Sequence, residues 1–168
     1  ASDVYKRQVR TMNDVAMSVE KDPTYRSVIE ASRVVRRESI ADGIVAAARE
    51  IAEATNIKAI CCFSQTGTTA SLVARERPHV ALIALTPLLS TARRLALTWG
   101  AHCVITPPQD RFKGAVLAAV SAARADGFAR EEDQIVVTAG VPFNVKGTTN
   151  ILRVAPCDPR LIVNTDPE

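Results

Sequence analysis

A chain of 168 residues with 47% hydrophobic content is long enough for one domain with a sizeable core. Aromatics are only 4%, so that core must be built from Ala, Val, Ile and Leu, which suits helices packed on a parallel sheet. The net charge is +3 and the pI about 8.8, basic residues are dispersed apart from Arg33 and the pair Arg36-Arg37, and no apolar run can span a bilayer; nucleic-acid and membrane partners are therefore not expected.

Residues 1–8 carry no Met and no apolar period, so the sequence is expected either to start inside a longer gene or to carry a leader foreign to the domain. The domain proper is expected over 9–155, with a tail over 156–168. From Val9, the positions Val9, Met12, Ala16 and Val19 follow helical spacing up to Asp22-Pro23, which is expected to stop the helix. A connector from Thr24 to Glu38 lacks Gly and is expected to be a packed excursion rather than a flexible linker. Ser39 with Asp42 forms a capping-box pattern at the head of a helix whose stripe is Ile40, Ile44, Ala47, Ala48 and Ile51, ending near Asn56.

The first strand is expected at Ile57 to Phe63. It holds Cys61 and Cys62, which as strand neighbours point to opposite faces and cannot easily share one metal. With Cys103 and Cys157 they show no CxxC or Cys/His ligand spacing, so all four are expected to be small hydrophobes of a reducing compartment. With no signal peptide visible, that compartment is expected to be the cytoplasm. A helix from Ala70 stops at Pro78, and Val80 to Leu85 reads as a continuous apolar strand buried on both faces. A helix from Leu88 to Thr98 closes at Gly100, and a short strand covers His102 to Ile105. Asp110 is expected to cap the next helix, with the stripe Phe112, Ala115, Val116, Ala119, Val120 and Ala123 and a stop at Gly127. Strands at Ile135 to Thr138 and Ile151 to Val154 flank a loop, and the Pro-containing tail from Pro156 is expected to fray.

Strands separated by single helices predict an α/β fold with a mainly parallel sheet covered on both faces. The last connection has no room for a crossover helix, so the fifth strand must pair antiparallel with the fourth or leave the sheet. Such sheets bind ligands beyond the carboxyl ends of their strands, at the switch point of strand order. Two stretches lie at that end. Ser64, Gln65, Thr66, Gly67, Thr68 and Thr69 form a hydroxyl-rich turn at a helix N-terminus, where free N–H groups and the helix dipole favour phosphate, and where Gly67 allows close backbone approach. Gly140 to Thr149 would close over it if the first and fourth strands adjoin: Gly140 and Gly147 make that loop adaptable, and Lys146 offers a cation or is simply a solvated loop lysine. Ordinary helix capping also explains the Ser and Thr residues. Neither a GxxxxGK(S/T) nor a GxGxxG pattern is present.

Several segments, in one order and spacing from Val9 to Val154, together resemble the C-terminal domain of pyruvate kinase. They are Val9-Arg10-Thr11-Met12, the Ser64 to Thr69 turn followed by Val73-Ala74-Arg75-Glu76-Arg77-Pro78, Ala84-Leu85-Thr86-Pro87 with Thr91 to Gly100, and Val136 to Phe143 with Gly147-Thr148-Thr149-Asn150. The resemblance implies a three-layer α/β/α domain with a five-stranded, mostly parallel sheet whose last strand is antiparallel. It implies an enzyme transferring phosphate from phosphoenolpyruvate to ADP with Mg²⁺ and usually K⁺, commonly a homotetramer, whose catalytic barrel is absent here. No cofactor and no catalytic residue then falls on this chain. By the same resemblance Ser64 to Thr69 grip a phosphate of the allosteric activator, and Ala139 to Asn150 close over it.

The chain departs from the family pattern at Thr68, where many members carry Arg or Lys, and at Pro107 to Ala115, where members activated by fructose 1,6-bisphosphate often use a Trp and an Arg. Fewer charge-assisted hydrogen bonds remain for phosphate. A monophosphate effector, such as a sugar phosphate or AMP, is therefore expected over fructose 1,6-bisphosphate, or else a site that does not respond. The alternative is a stand-alone phosphometabolite-binding module without catalytic activity.

Overall fold

The computed structural model describes residues 2–32, 39–143, 145 and 148–165. Arg33, Arg36 and Arg37 lie outside the described residues, as do Lys146 and Gly147 of the expected upper loop. The chain divides into two compact units, Ala1–Arg36 and Arg37–Glu168.

In the first unit, α1 (Ser2–Glu20) starts ahead of the expected Val9, and α2 (Pro23–Ala31) replaces part of the expected connector. Pro23 ends one helix and opens the next, because its fixed φ and missing N–H suit the first helical position. Asp22 caps the start by accepting the Thr24 N–H at 2.8 Å. Contrary to the packed excursion expected here, α2 buries none of its side chains.

The second unit opens with α3 (Ile40–Ala54), whose capping box forms as its sequence predicts: Ser39 Oγ accepts the Asp42 N–H and Asp42 Oδ2 accepts the Ser39 N–H, both at 3.1 Å. After it come β1 (Ile57–Phe63), α4 (Thr68–Arg75), β2 (Ala81–Thr86), α5 (Leu89–Leu95), β3 (Ala101–Ile105), α6 (Phe112–Ala125), β4 (Gln134–Gly140), β5 (Thr149–Pro156) and α7 (Pro159–Thr165). α5 is shorter than expected, since the chain turns out of it with Thr98 N–H on Leu95 O at 2.8 Å. Asp110 does not cap α6; the capping position is Arg111, with no side-chain hydrogen bond.

The sheet order is β3-β2-β1-β4-β5, with β5 antiparallel to β4 and the other pairs parallel. β1 and β4 are therefore neighbours, aligned Cys62 with Thr138, and the switch point lies between them. One face packs Val45, Ala48, Ile60, Cys62, Val73 and Leu95 from α3, α4, α5 and the sheet; the other packs Cys61, Ile83, Val116, Val120, Val137 and Ile162 from α6, α7 and the sheet. This is the three-layer α/β/α arrangement, and Cys61 and Cys62 do face opposite layers.

The tail does not fray as expected. Cys157 and Ile162 are fully buried, Cys157 N–H bonds Asp133 O at 2.9 Å, and α7 packs on α6. One of the tail's prolines, Pro159, is the first residue of α7, and Asp158 Oδ1 accepts the Arg160 N–H at 2.9 Å.

Candidate functional site

At the carboxyl end of β1 the chain extends its pairing with β2 by one bond, Ser64 N–H to Leu85 O at 3.0 Å, before breaking toward α4. Gly67 sits at the helix capping position with φ +82°, a left-handed conformation that side chains rarely adopt. A Cβ there would lie 3.1 Å from Leu95 Cδ2, so close packing demands glycine as well. No side chain caps α4, and among the described residues the N–H groups of Thr66, Gly67, Thr68 and Thr69 meet no acceptor. α5 grips the turn from behind: Thr91 Oγ1 donates to Gln65 O at 2.7 Å, and Arg94 Nη2 donates to Thr66 O.

Hydroxyls link the turn to its surroundings. Thr66 Oγ1 and Thr68 Oγ1 are 2.9 Å apart, and the buried pair Thr69 Oγ1 and Thr149 Oγ1 are 2.6 Å apart, joining α4 to the first residue of β5. The upper loop leaves β4 at Gly140, opposite Thr149. Its neck is closed by Asn150, whose Oδ1 accepts the Val141 N–H at 2.9 Å and whose Nδ2 donates to Val141 O at 2.6 Å. A Cβ on Gly140 would stand 2.6 Å from Thr148 O, so the neck closes only over glycine.

Turn and loop together bound a cleft of about 780 Å³, open solvent included. Ser64, Gln65, Thr66, Thr68, Thr69 and Gly140 line it; Gly67 does not, being buried toward Leu95 and Arg94. Lys146 and Gly147 lie outside the described residues. From the expected upper stretch, Phe143, Val145, Thr148 and Thr149 line the cleft as well; sequence reasoning did not place the remaining walls there, which are Ala41, Phe63, Leu72, Leu85, Pro87 and the Pro107-Pro108-Gln109 stretch. It also missed Thr91 and Arg94, which no periodicity could flag.

None of the described lining residues is charged. The described residues of the cleft therefore offer hydroxyls, amides and a helix N-terminus, which suit an anion. Among the described residues no group of three or more His, Cys, Asp or Glu could hold a metal ion, and no helix is long and apolar enough to cross a membrane. His102 is engaged elsewhere, with Nε2 2.8 Å from Asp126 Oδ2 and its ring 4.9 Å from that of Phe128.

Known proteins share this architecture. The family model described as "Pyruvate kinase, alpha/beta domain" matches residues 42–155. A pyruvate kinase of Methylorubrum extorquens is 37% identical over 155 residues, 92% of this chain and 32% of that protein. One from Agrobacterium vitis is 38% identical over 146 residues, 87% of this chain and 31% of that protein. Among solved structures, a Cryptosporidium parvum pyruvate kinase in complex with ADP superposes with a TM-score of 0.70 at 24% identity, covering 79% of this chain and 27% of that one, a likeness of fold. The chain thus spans about a third of the length of the curated relatives it matches. A sheet of four parallel strands and one antiparallel strand between helical layers, matched by sequence over most of its length, makes this chain a member of the pyruvate kinase alpha/beta domain family, the C-terminal domain of that enzyme.

Proposed function

We propose that this chain is the regulatory and assembly domain of a pyruvate kinase and that its cleft holds the phosphate of an allosteric effector. The observation that carries the proposal is the cleft at the switch point, lined by Ser64, Thr66, Thr68 and Thr69 of a turn whose N–H groups from Thr66 to Thr69 meet no acceptor among the described residues, with Gly140 and Thr149 across from them. With no charged side chain among its described lining residues, the cleft suits one phosphate better than two. A sugar monophosphate or AMP is thus favoured over fructose 1,6-bisphosphate.

Transfer of phosphate from phosphoenolpyruvate to ADP, with Mg²⁺ and K⁺, belongs to the part of the enzyme outside this chain. The described residues gather no metal-holding cluster, and this chain alone is expected to be inactive. We place contacts of a homotetramer on α1, which exposes Val9, Met12 and Val19, and on the outer edge of β5. The enzyme is expected to work in the cytoplasm. The alternative, a free-standing phosphometabolite-binding module, is favoured by the second unit having its own two-sided core.

Calorimetry on the enzyme that contains this domain tests the proposal. AMP or a hexose monophosphate should bind, and Thr69→Val, which removes a donor at the cleft floor, should weaken that binding about tenfold. Tight binding of fructose 1,6-bisphosphate unaffected by bulky replacement of Gly67 would overturn the placement.

A further inference from the structure

We infer that Thr91 and Arg94 of α5 are positioning residues for the anion, an inference that rests on the cleft being the phosphate site. They stand one turn apart on α5 and hold two consecutive carbonyls of the turn, Gln65 O and Thr66 O. A trans peptide is planar, and its C=O points opposite to the N–H of the next residue. Drawing Gln65 C=O toward Thr91 turns the Thr66 N–H away from α5. Drawing Thr66 C=O toward Arg94 does the same to the Gly67 N–H.

Away from α5 is the cleft side, because no α5 residue is among those lining the cleft, whereas Gln65, Thr66 and Thr68 are. Neither N–H has an acceptor among the described residues. The grip therefore fixes two donors in the direction that a phosphate oxygen would occupy, beside those of Thr68 and Thr69 at the start of α4. The Arg94 guanidinium also brings positive charge behind the turn, without itself lining the cleft, and its Nη2 lies 3.4 Å from where a Gly67 Cβ would stand. A cleft whose described lining carries no charge thus gains a preference for anions from a cation reached through a peptide group.

The test uses the ¹⁵N-labelled chain, read first without ligand and then titrated with inorganic phosphate. In the unliganded wild type, residual dipolar couplings should place the Thr66 and Gly67 N–H vectors away from α5. Thr91→Val keeps the buried shape but removes the donor, and Arg94→Met removes the guanidinium; each should reorient one vector and weaken phosphate about tenfold. Thr91→Ser restores a hydroxyl and should rescue both readouts, which a merely space-filling role would not require. Should Thr91→Val fail to fold, Arg94→Met on the exposed side of α5 carries the same comparison. Phosphate that leaves the wild-type amides unmoved overturns the phosphate site itself, and this inference with it. Phosphate that binds wild type and both variants equally overturns only the positioning role.

Discussion

Gly67 has two reasons to be glycine, and they act on different quantities. Its φ of +82° costs a side-chain-bearing residue about 1–2 kcal/mol, so Gly67→Ala should lower the unfolding free energy by that much, seen as a lower urea midpoint with the slope unchanged. The new Cβ would also press on Leu95 at 3.1 Å and displace α5 from the turn, so phosphate affinity should fall along with stability. At Gly140 the obstacle is backbone, with Thr148 O at 2.6 Å from an added Cβ, and the upper loop must shift as a body. Asp42 sets a different kind of dependence. Its Ser39 hydrogen bond, and then Arg75, hold its carboxyl below the ordinary value of 3.8. A carboxylate with a depressed folded pKa contributes stability above its unfolded pKa and loses it as pH falls through the folded value. Asp42→Asn should therefore melt below wild type at pH 7, and the gap should close as pH is lowered beneath 3.8. A gap that persists unchanged to strongly acidic pH would show that Asp42 acts by shape rather than charge.

At the level of elements, α7 is the sharpest departure from expectation. Ile162 is fully buried in the cluster with Val116, Val120 and Ile135, so Ile162→Ala should cost about 2–5 kcal/mol, measured by chemical denaturation, where a frayed tail would cost nothing. One physical cause lies behind both helices that the sequence pattern hides. Asp22-Pro23 reads as a stop and the prolines of the tail as a cause of fraying, yet Asp22-Pro23 and Asp158-Pro159 are each an aspartate cap with a proline at the first helical position. A proline can end one helix or open another, and composition alone does not distinguish the two roles. The legible features are local: the Ser39-Asp42 box, the Val80 to Leu85 run and the α6 stripe are each decided by neighbours within a few positions. The turn Ser64 to Thr69 was legible for the same reason. The grip of Thr91 and Arg94 and the wall at Pro107-Pro108-Gln109 come from elsewhere in the chain, and only strand order brings them to the turn.

Across the whole molecule, the two-faced core turns the cysteines into reporters of folding and, through it, of ligand binding. Burial pushes the Cys62 thiol up to about 12 and the Cys157 thiol up to about 11, the latter helped by Asp133, while burial lifts Cys61 well above its ordinary value. The thiolate is the nucleophile, so these three react only when the structure opens. Cys103, on the edge strand β3 and half-buried, should label first in the native chain at mildly alkaline pH. A ligand that binds only the folded state stabilises it by about 2.7 kcal/mol at a free concentration of 100 times its Kd, a factor of about 100 in the open population. Inorganic phosphate at that level should slow labelling of Cys61 and Cys62 by about 100-fold where opening is global, and leave Cys103 unchanged. Cys157 distinguishes opening of α7 alone: if it labels faster than Cys61 and ignores phosphate, the C-terminal helix detaches while the cleft stays whole. Labelling of Cys61 and Cys62 at the rate of an unfolded chain, with or without phosphate, would be incompatible with the closed three-layer core on which the site is built.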